Sequence, residues 1–214
     1  MIQLSGKNIL IDPFISGNPN AKSIDHNTIS ADYILITHGH GDHVGDAVAI
    51  AQRTGATIIS NYEIAKWFEK KGLTAVDLNF GGIKKFDFGS VKLVVAIHSS
   101  TLPDGSNGGN PAGFVVETAE GNFYHAGDTA LSSDMNLIPI RHKLDIALLP
   151  IGSHYTMDAV DAATASQMLQ CKKIIGMHYD TFPPIKIDHD TAKKSFADVG
   201  SELLLMNIGE DIDL

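Results

Sequence analysis

Thr37-His38-Gly39-His40-Gly41-Asp42-His43 packs three imidazoles and one carboxylate into the six positions that follow Thr37. The stretch directly follows Tyr33 to Thr37, a short apolar run of the kind that forms a buried strand. An apolar strand has no reason of its own to end in polar groups that are costly to bury. The glycines at 39 and 41 let a tight loop turn successive side chains toward a common point. Imidazole and carboxylate are natural ligands for Zn²⁺, Mn²⁺ or Fe²⁺. The bland alternatives are a solvated polar turn or a lone structural zinc, and the density of ligands immediately after a strand weighs against both.

The flanking sequence sets this loop in an alternating pattern. Lys7 to Asp12 reads as a second buried strand, so both early strands end in an acid or a hydroxyl. Val44 to Arg53 has helical apolar spacing and stops at Gly55, ahead of a strand over Thr57 to Ser60. Ser60-Asn61 caps a helix predicted from Tyr62 to Lys71. Ile83 to Phe88, Val91 to Ile97, Gly113 to Glu117 and Asn122 to His125 then read as strands in an antiparallel meander. Alternation resumes with a strand at Leu144 to Pro150, a capped helix at Asp158 to Gln170 and a strand at Lys173 to Met177. A helix at Asp188 to Val199 and a strand at Glu202 to Asn207 follow. Sheets flanked by outer helices imply an α/β fold layered as an αββα sandwich, in one domain spanning residues 1–214. The stretch from Asp104 to Pro111 reads as a mobile loop.

Bulk properties narrow the function. The chain has 214 residues, a formal charge of -9 and a single cysteine, Cys171. One cysteine excludes a disulfide framework and a cysteine-rich zinc ribbon, so any metal must bind through imidazole and carboxylate. The acidic balance argues against nucleic acid as a partner, because a nucleic-acid surface needs a basic stripe. Lys84-Lys85 and Lys193-Lys194 read as solvated faces. No apolar run approaches the roughly 20 residues that span a bilayer, and the N-terminus lacks a signal-peptide pattern, so a cytoplasmic location without membrane contact is expected. A homo-oligomer stays open.

The motif His38-x-His40-x-Asp42-His43 resembles the HxHxDH signature of the metallo-β-lactamase superfamily. Further along, strands ending in His98, in Gly127-Asp128 and in His178 resemble its later motifs in the same order. The resemblance implies the four-layer αββα fold and two divalent ions, Zn²⁺ first, with Mn²⁺, Fe²⁺ or Ni²⁺ as alternatives. It assigns His38, His40 and His98 to one ion, Asp42, His43 and His178 to the other, and Asp128 as a bridge, which suits two dications roughly 3.5–4 Å apart. The segments 8–19, 109–114, 125–129, 149–152 and 177–183 resemble more closely one subfamily, the UPF0173 metal-dependent hydrolases. Members of that group usually begin with an additional strand carrying Gly-His-Ser, so either residues upstream of Met1 belong to the native protein, which is the expectation here, or this variant dispenses with that strand.

The resemblance implies a hydroxide activated by two metal ions that attacks a small ester, lactone or phosphodiester. Asp42, Asp128 and His154 are the candidate catalytic residues, and Asp12 is a candidate for orienting a ligand histidine through its far ring nitrogen. Asn110, His125 and Asp180 are candidates for lining the pocket, whereas His26, His142 and His189 read as surface residues and Cys171 as a small buried one. The Gly-rich stretch 105–113 lacks the ending of a phosphate-binding loop. Three other readings remain: a nuclease or phosphodiesterase acting on nucleic acid, a di-iron flavoprotein-type enzyme, and a metal-binding protein without catalysis. In the di-iron proteins Glu typically stands where this chain has His40.

Overall fold

The computed structural model describes residues 1–213, which fall into two compact units: residues 1–94 with 99–112, and residues 95–98 with 113 onward. In the first unit, β1 (Ile2–Leu4) and β2 (Lys7–Ile11) form an antiparallel hairpin with Ile2 opposite Ile9. Ser5 and Gly6 close it with φ of 51° and 73°, the doubly left-handed turn that suits strand twist. β3 (Tyr33–Leu35), β4 (Thr57–Asn61) and β5 (Ala75–Leu78) extend the sheet in parallel, in the order β1-β2-β3-β4-β5. Parallel neighbours need crossover connections. From β2 to β3 the connection is a long loop with one short turn of 3-10 helix (His26–Thr28), from β3 to β4 it is α1 (Gly41–Val44) with α2 (Ala47–Thr54), and from β4 to β5 it is α3 (Tyr62–Glu69). The apolar faces of α2 and α3 meet the sheet in a core that contains Ile34, Ile36, Ile50, Ile58, Ile64 and Phe68. An antiparallel hairpin of β6 (Ile83–Phe86) and β7 (Gly89–Val95) follows.

The helix expected from Val44 to Arg53 is broken at Gly45-Asp46, and the reason is a loop. The buried Asp46 carboxylate accepts from the N–H groups of Ile15 (2.6 Å) and Ser16 (2.9 Å) and from the Ser16 hydroxyl. Its own N–H donates to the Pro13 carbonyl at 2.9 Å. The chain leaves the helix here because both the side chain and the backbone of Asp46 hold residues 13–16 against it.

The stretch from Asp104 to Pro111 is tied down rather than loose. Asn61 caps α3 by accepting from the Ile64 N–H, and its amide donates to the carbonyls of Gly108 (2.7 Å) and Asn110 (3.0 Å). The Trp67 indole N–H donates to Asp104 at 2.6 Å, and the Lys71 ammonium lies 3.9 Å over the Trp67 ring. The Ser106 hydroxyl and the Trp67 indole together bring the Asp104 carboxyl down to about 2.

In the second unit β8 (Ala112–Glu117) pairs antiparallel with β9 (Asn122–His125), and β10 (Ile146–Pro150), β11 (Lys173–Met177) and β12 (Glu202–Leu204) continue in parallel. α4 (Ala159–Met168) is capped by Asp158, and α5 (His189–Asp198) by Asp188. The helices pack on each other, α4 against β10 and α5 against β12. Each unit thus carries a mixed sheet with helices of its own, the elements an αββα sandwich requires. His142 is a correction: it is buried and its Nδ1 lies 2.8 Å from the Glu117 carboxylate, not on the surface. Cys171 is buried as expected, and burial pushes its thiol up. No helix among the described residues is long and apolar enough to cross a membrane.

Candidate metal centre

Within the first unit, the loop that follows β3 carries His38, His40, Asp42 and His43. The N-terminus of α1 begins at Gly41, so Asp42 sits in its first turn and His43 in its last. His38 is fully buried and His43 nearly so, while His40 and Asp42 are half-buried. The ring of His38 lies between its neighbours, with centroids 3.9 Å from His43 and 4.6 Å from His40. His38 Nε2 approaches His40 Nδ1 to 3.1 Å. Two ring nitrogens turned toward each other at that separation suit two ligands of one ion. His43 Nε2 lies 3.7 Å from Asp42 Oδ2.

The nitrogens on the far sides of these rings meet protein groups. Asp12, just past the end of β2, accepts at Oδ2 from His43 Nδ1 at 2.9 Å, so His43 presents Nε2. Asp12, His38 and His43 each place one donor atom within 4.8 Å of the other two. With its oxygens engaged by protein donors, Asp12 acts here as a holder of rings. His40 Nε2 meets the Ser99 hydroxyl at 3.2 Å, and the Gly39 N–H donates to the Ser100 hydroxyl at 3.0 Å. A Cβ on Gly39 would lie 3.0 Å from the Leu102 side chain and 3.3 Å from its backbone nitrogen, so glycine lets the two segments close. The Ala112 N–H completes the fastening by donating to the Thr37 carbonyl at 3.0 Å.

The second unit contributes its own cluster. His98 lies three residues past the end of β7, Asp128 three past β9 and His178 one past β11. Both imidazoles converge on one oxygen of the buried Asp128: His178 Nε2 at 3.0 Å and His98 Nε2 at 3.7 Å from Oδ2. Thr129, beside the aspartate, receives the Ile97 N–H on its hydroxyl at 2.9 Å, and Ala130 N–H donates to the Ile97 carbonyl. These bonds place the segment leading to His98 alongside Asp128. A Cβ on Gly152 would collide with the His178 carbonyl oxygen, so that glycine sets how closely the ends of β10 and β11 approach.

Of the seven non-glycine residues with positive φ among the described residues, five are candidates or their immediate neighbours: Asp12 (45°), Ser153 (59°), His154 (36°), His178 (56°) and Asp180 (61°). Each such residue costs on the order of 1–3 kcal/mol and persists only where its surroundings over-determine it. His154 stands exposed next to the exposed Tyr155, its ring edge-on to the tyrosine at 4.4 Å. Asp180 accepts from the Ile187 N–H and meets His189 at 2.6 Å. His125 is buried and accepts the Gly127 N–H, holding the turn that delivers Asp128. Asn110 is exposed, with its carbonyl bonded to Asn61. Thr37, Ser99 and Ser100 were not singled out from the sequence as site residues. Their only signal is adjacency to His38 and His98.

Residues 7–179 match the family model described as the Beta-lactamase superfamily domain. The chain belongs to the metallo-β-lactamase superfamily. Within this superfamily it is 56% identical over 213 residues to a UPF0173 metal-dependent hydrolase of Flavobacterium johnsoniae, covering 100% of this chain and 95% of that protein. A UPF0173 protein of Thermus thermophilus is 47% identical over 206 residues, covering 96% of this chain and 91% of its own length. The chain is therefore a member of the UPF0173 metal-dependent hydrolase family. Among solved structures, a metallo hydrolase from the hyperthermophilic archaeon Ignicoccus hospitalis matches with a TM-score of 0.88 at 36% identity, over 97% of this chain and 91% of that one. This metallo-β-lactamase superfamily member is accordingly an α/β metal-dependent hydrolase.

Proposed function

We propose that the chain uses two divalent ions to hydrolyse a small ester, lactone or phosphodiester, with His38, His40, Asp42, His43, His98, Asp128 and His178 as their ligands. The observation that carries this reading is the placement of Asp128. A single carboxylate oxygen stands beside His98 and His178, the two residues assigned by motif order to different ions. A carboxylate so placed is suited to a shared ligand, and its negative charge offsets repulsion of two dications. The donor set also fits: imidazole and carboxylate, without thiolate, suit Zn²⁺, Mn²⁺ or Fe²⁺. The pairing of His38 Nε2 with His40 Nδ1 supplies two converging donors. Seven ligands exceed the capacity of one tetrahedral site.

When bound, such ions would supply Lewis acidity to the scissile group and lower the pKa of a water toward neutrality. The protein's contribution is to hold the ligand rings in fixed tautomers and to place anionic groups next to them. His154 stands exposed in a strained turn after β10, where it can meet substrate or carry a proton. The net charge of -9 favours a small substrate over a polyanionic polymer.

The test is turnover of a panel of esters, lactones, phosphodiesters and single-stranded oligonucleotides by metal-free protein and by protein reloaded with Zn²⁺ or Mn²⁺, its metal content fixed by elemental analysis. The expected result is two ions per chain and hydrolysis of a small substrate that appears only on reloading. A maximum of one ion, or full activity in metal-free protein, overturns this reading. Preference for the oligonucleotide transfers it to the nuclease class.

A further inference from the structure

The hydroxyl of Thr37 links two of the ligand histidines through one carboxylate. Asp12 Oδ1 accepts from the Thr37 N–H at 2.8 Å, and its Oδ2 accepts from the Thr37 hydroxyl at 2.6 Å and from His43 Nδ1 at 2.9 Å. A carboxylate only accepts, so the single hydroxyl proton of Thr37 is committed to Asp12. The Thr37 oxygen then faces His38 Nδ1 at 3.0 Å as an acceptor, which places the proton of that imidazole on Nδ1. His38 and His43 thus share the same tautomer for one reason, and both present Nε2. The arrangement is shielded from solvent: Thr37 is 1% exposed, His38 0%, and the side chains of Asp12 and His43 are each 8% exposed.

We propose that Asp12 and Thr37 form one positioning unit for both metal ions, with Asp12 holding His43 directly and His38 through the Thr37 hydroxyl. The inference rests on the reading above, in which His38 and His43 serve different ions. His40 lies outside this unit, since its far nitrogen meets Ser99. An orienting partner on the far ring nitrogen typically governs metal affinity by about 10–100-fold. Loss of Asp12 should therefore weaken both ions by that factor, and loss of the Thr37 hydroxyl only one.

The experiment is a competition titration of the metal-free full chain against a chromophoric chelator, with Zn²⁺ as probe, resolving two successive dissociation constants. Asp12→Asn is the least disruptive replacement because asparagine tolerates the left-handed φ of 45° at this position. The expected result is weakening of both constants by about 10–100-fold in Asp12→Asn, of one constant in Thr37→Val, and near-normal binding in Thr37→Ser. Thermal unfolding of the metal-free variants separates this from loss of fold. Should Asp12→Asn fail to fold, the Thr37→Val and Thr37→Ser pair decides, because valine keeps the shape of threonine without its hydroxyl and serine keeps the hydroxyl without the methyl, so a purely steric role would leave Thr37→Val near normal and weaken Thr37→Ser instead. Weakening of a single constant in folded Asp12→Asn, or binding by Thr37→Val as tight as or tighter than that by Thr37→Ser, overturns the proposal. A wild-type chain that takes one ion overturns the dinuclear reading instead.

Discussion

The histidines of the two units are held in different ways. In the first unit, His38, His40 and His43 each have a far ring nitrogen against a hydroxyl or a carboxylate, and the partners Asp12, Thr37 and Ser99 come from three separate segments. In the second, His98 and His178 turn the same nitrogen, Nε2, toward one carboxylate oxygen of Asp128. The first cluster is oriented from behind, by groups that keep their role when an ion arrives. The second is organised from the front, by a group that is itself a proposed ligand. Removing one holder from the first should loosen one or two rings, whereas removing Asp128 strikes the centre of the second.

The largest expected effect follows from that asymmetry. Asp128→Ala should reduce turnover by more than about 100-fold, beyond the range of an orienting group alone. Its midpoint of thermal unfolding in the metal-free form should stay close to wild type, because the strands around it remain intact. Turnover within tenfold of wild type would put the centre of the second cluster elsewhere. Next in size is the response to metal. Ion binding at one hundred times its Kd should stabilise the fold by about 2.7 kcal/mol per ion. That gain should be read as a rise in Tm on reloading and reversed by chelator. No shift would mean that ions do not bind the folded chain in preference to the unfolded one.

A comparable effect, independent of metal, should come from Asp46. Burial works against its charge, but the Ser16 hydroxyl and the N–H groups of Ile15 and Ser16 outweigh it, so its carboxyl lies below the ordinary value of 3.8. With the folded value depressed, its contribution is complete above pH 3.8 and is lost as pH falls through the lower folded value. Asp46→Ala should cost about 2–4 kcal/mol at neutral pH through three lost hydrogen bonds to a charged acceptor. Urea melts from about pH 2 to about pH 7 should show the gap between the two proteins closing at the acid end. A gap that widens with acid would contradict the sign.

The smallest effect should belong to His154. His154→Gly relieves a left-handed residue and should leave stability unchanged or raise it by about 1 kcal/mol. A decrease in kcat/KM with constant Tm would place the ring at the substrate, and an unchanged kcat/KM would remove it from the mechanism.

The strands and helices around the first motif were legible because their apolar spacing and caps are local: Asn61, Asp158 and Asp188 each sit at the helix start expected of them. Two strands escaped notice. β1 is three residues long with one buried, and β5 carries a single buried residue, so neither shows the alternation that marks a half-buried strand. The break at Gly45-Asp46 was illegible because its cause lies about 30 residues away, in the N–H groups of Ile15 and Ser16. His142 was misread for the same reason: its partner, Glu117, is 25 residues distant. The candidate ligands were readable as residue types at strand ends. What holds them was only partly so, since a threonine or serine beside a histidine is common and gains meaning only when a carboxylate or a second loop closes on it. Asp12 stood out because an acid ends a strand there, whereas Ser99 had no such mark.

Trp67 is the only tryptophan in the chain, and its indole N–H is bonded to Asp104 while Lys71 sits over its ring. Nature has therefore placed a lone indole fluorophore on α3 with a polar contact to the segment that also carries Ser99 and Ser100. Indole emission is sensitive to a neighbouring carboxylate and ammonium, so its wavelength and lifetime report locally on whether residues 101–111 remain fastened. No label has to be introduced to watch that segment respond to Zn²⁺ or to substrate, and Asp104→Asn supplies the calibration for the contact.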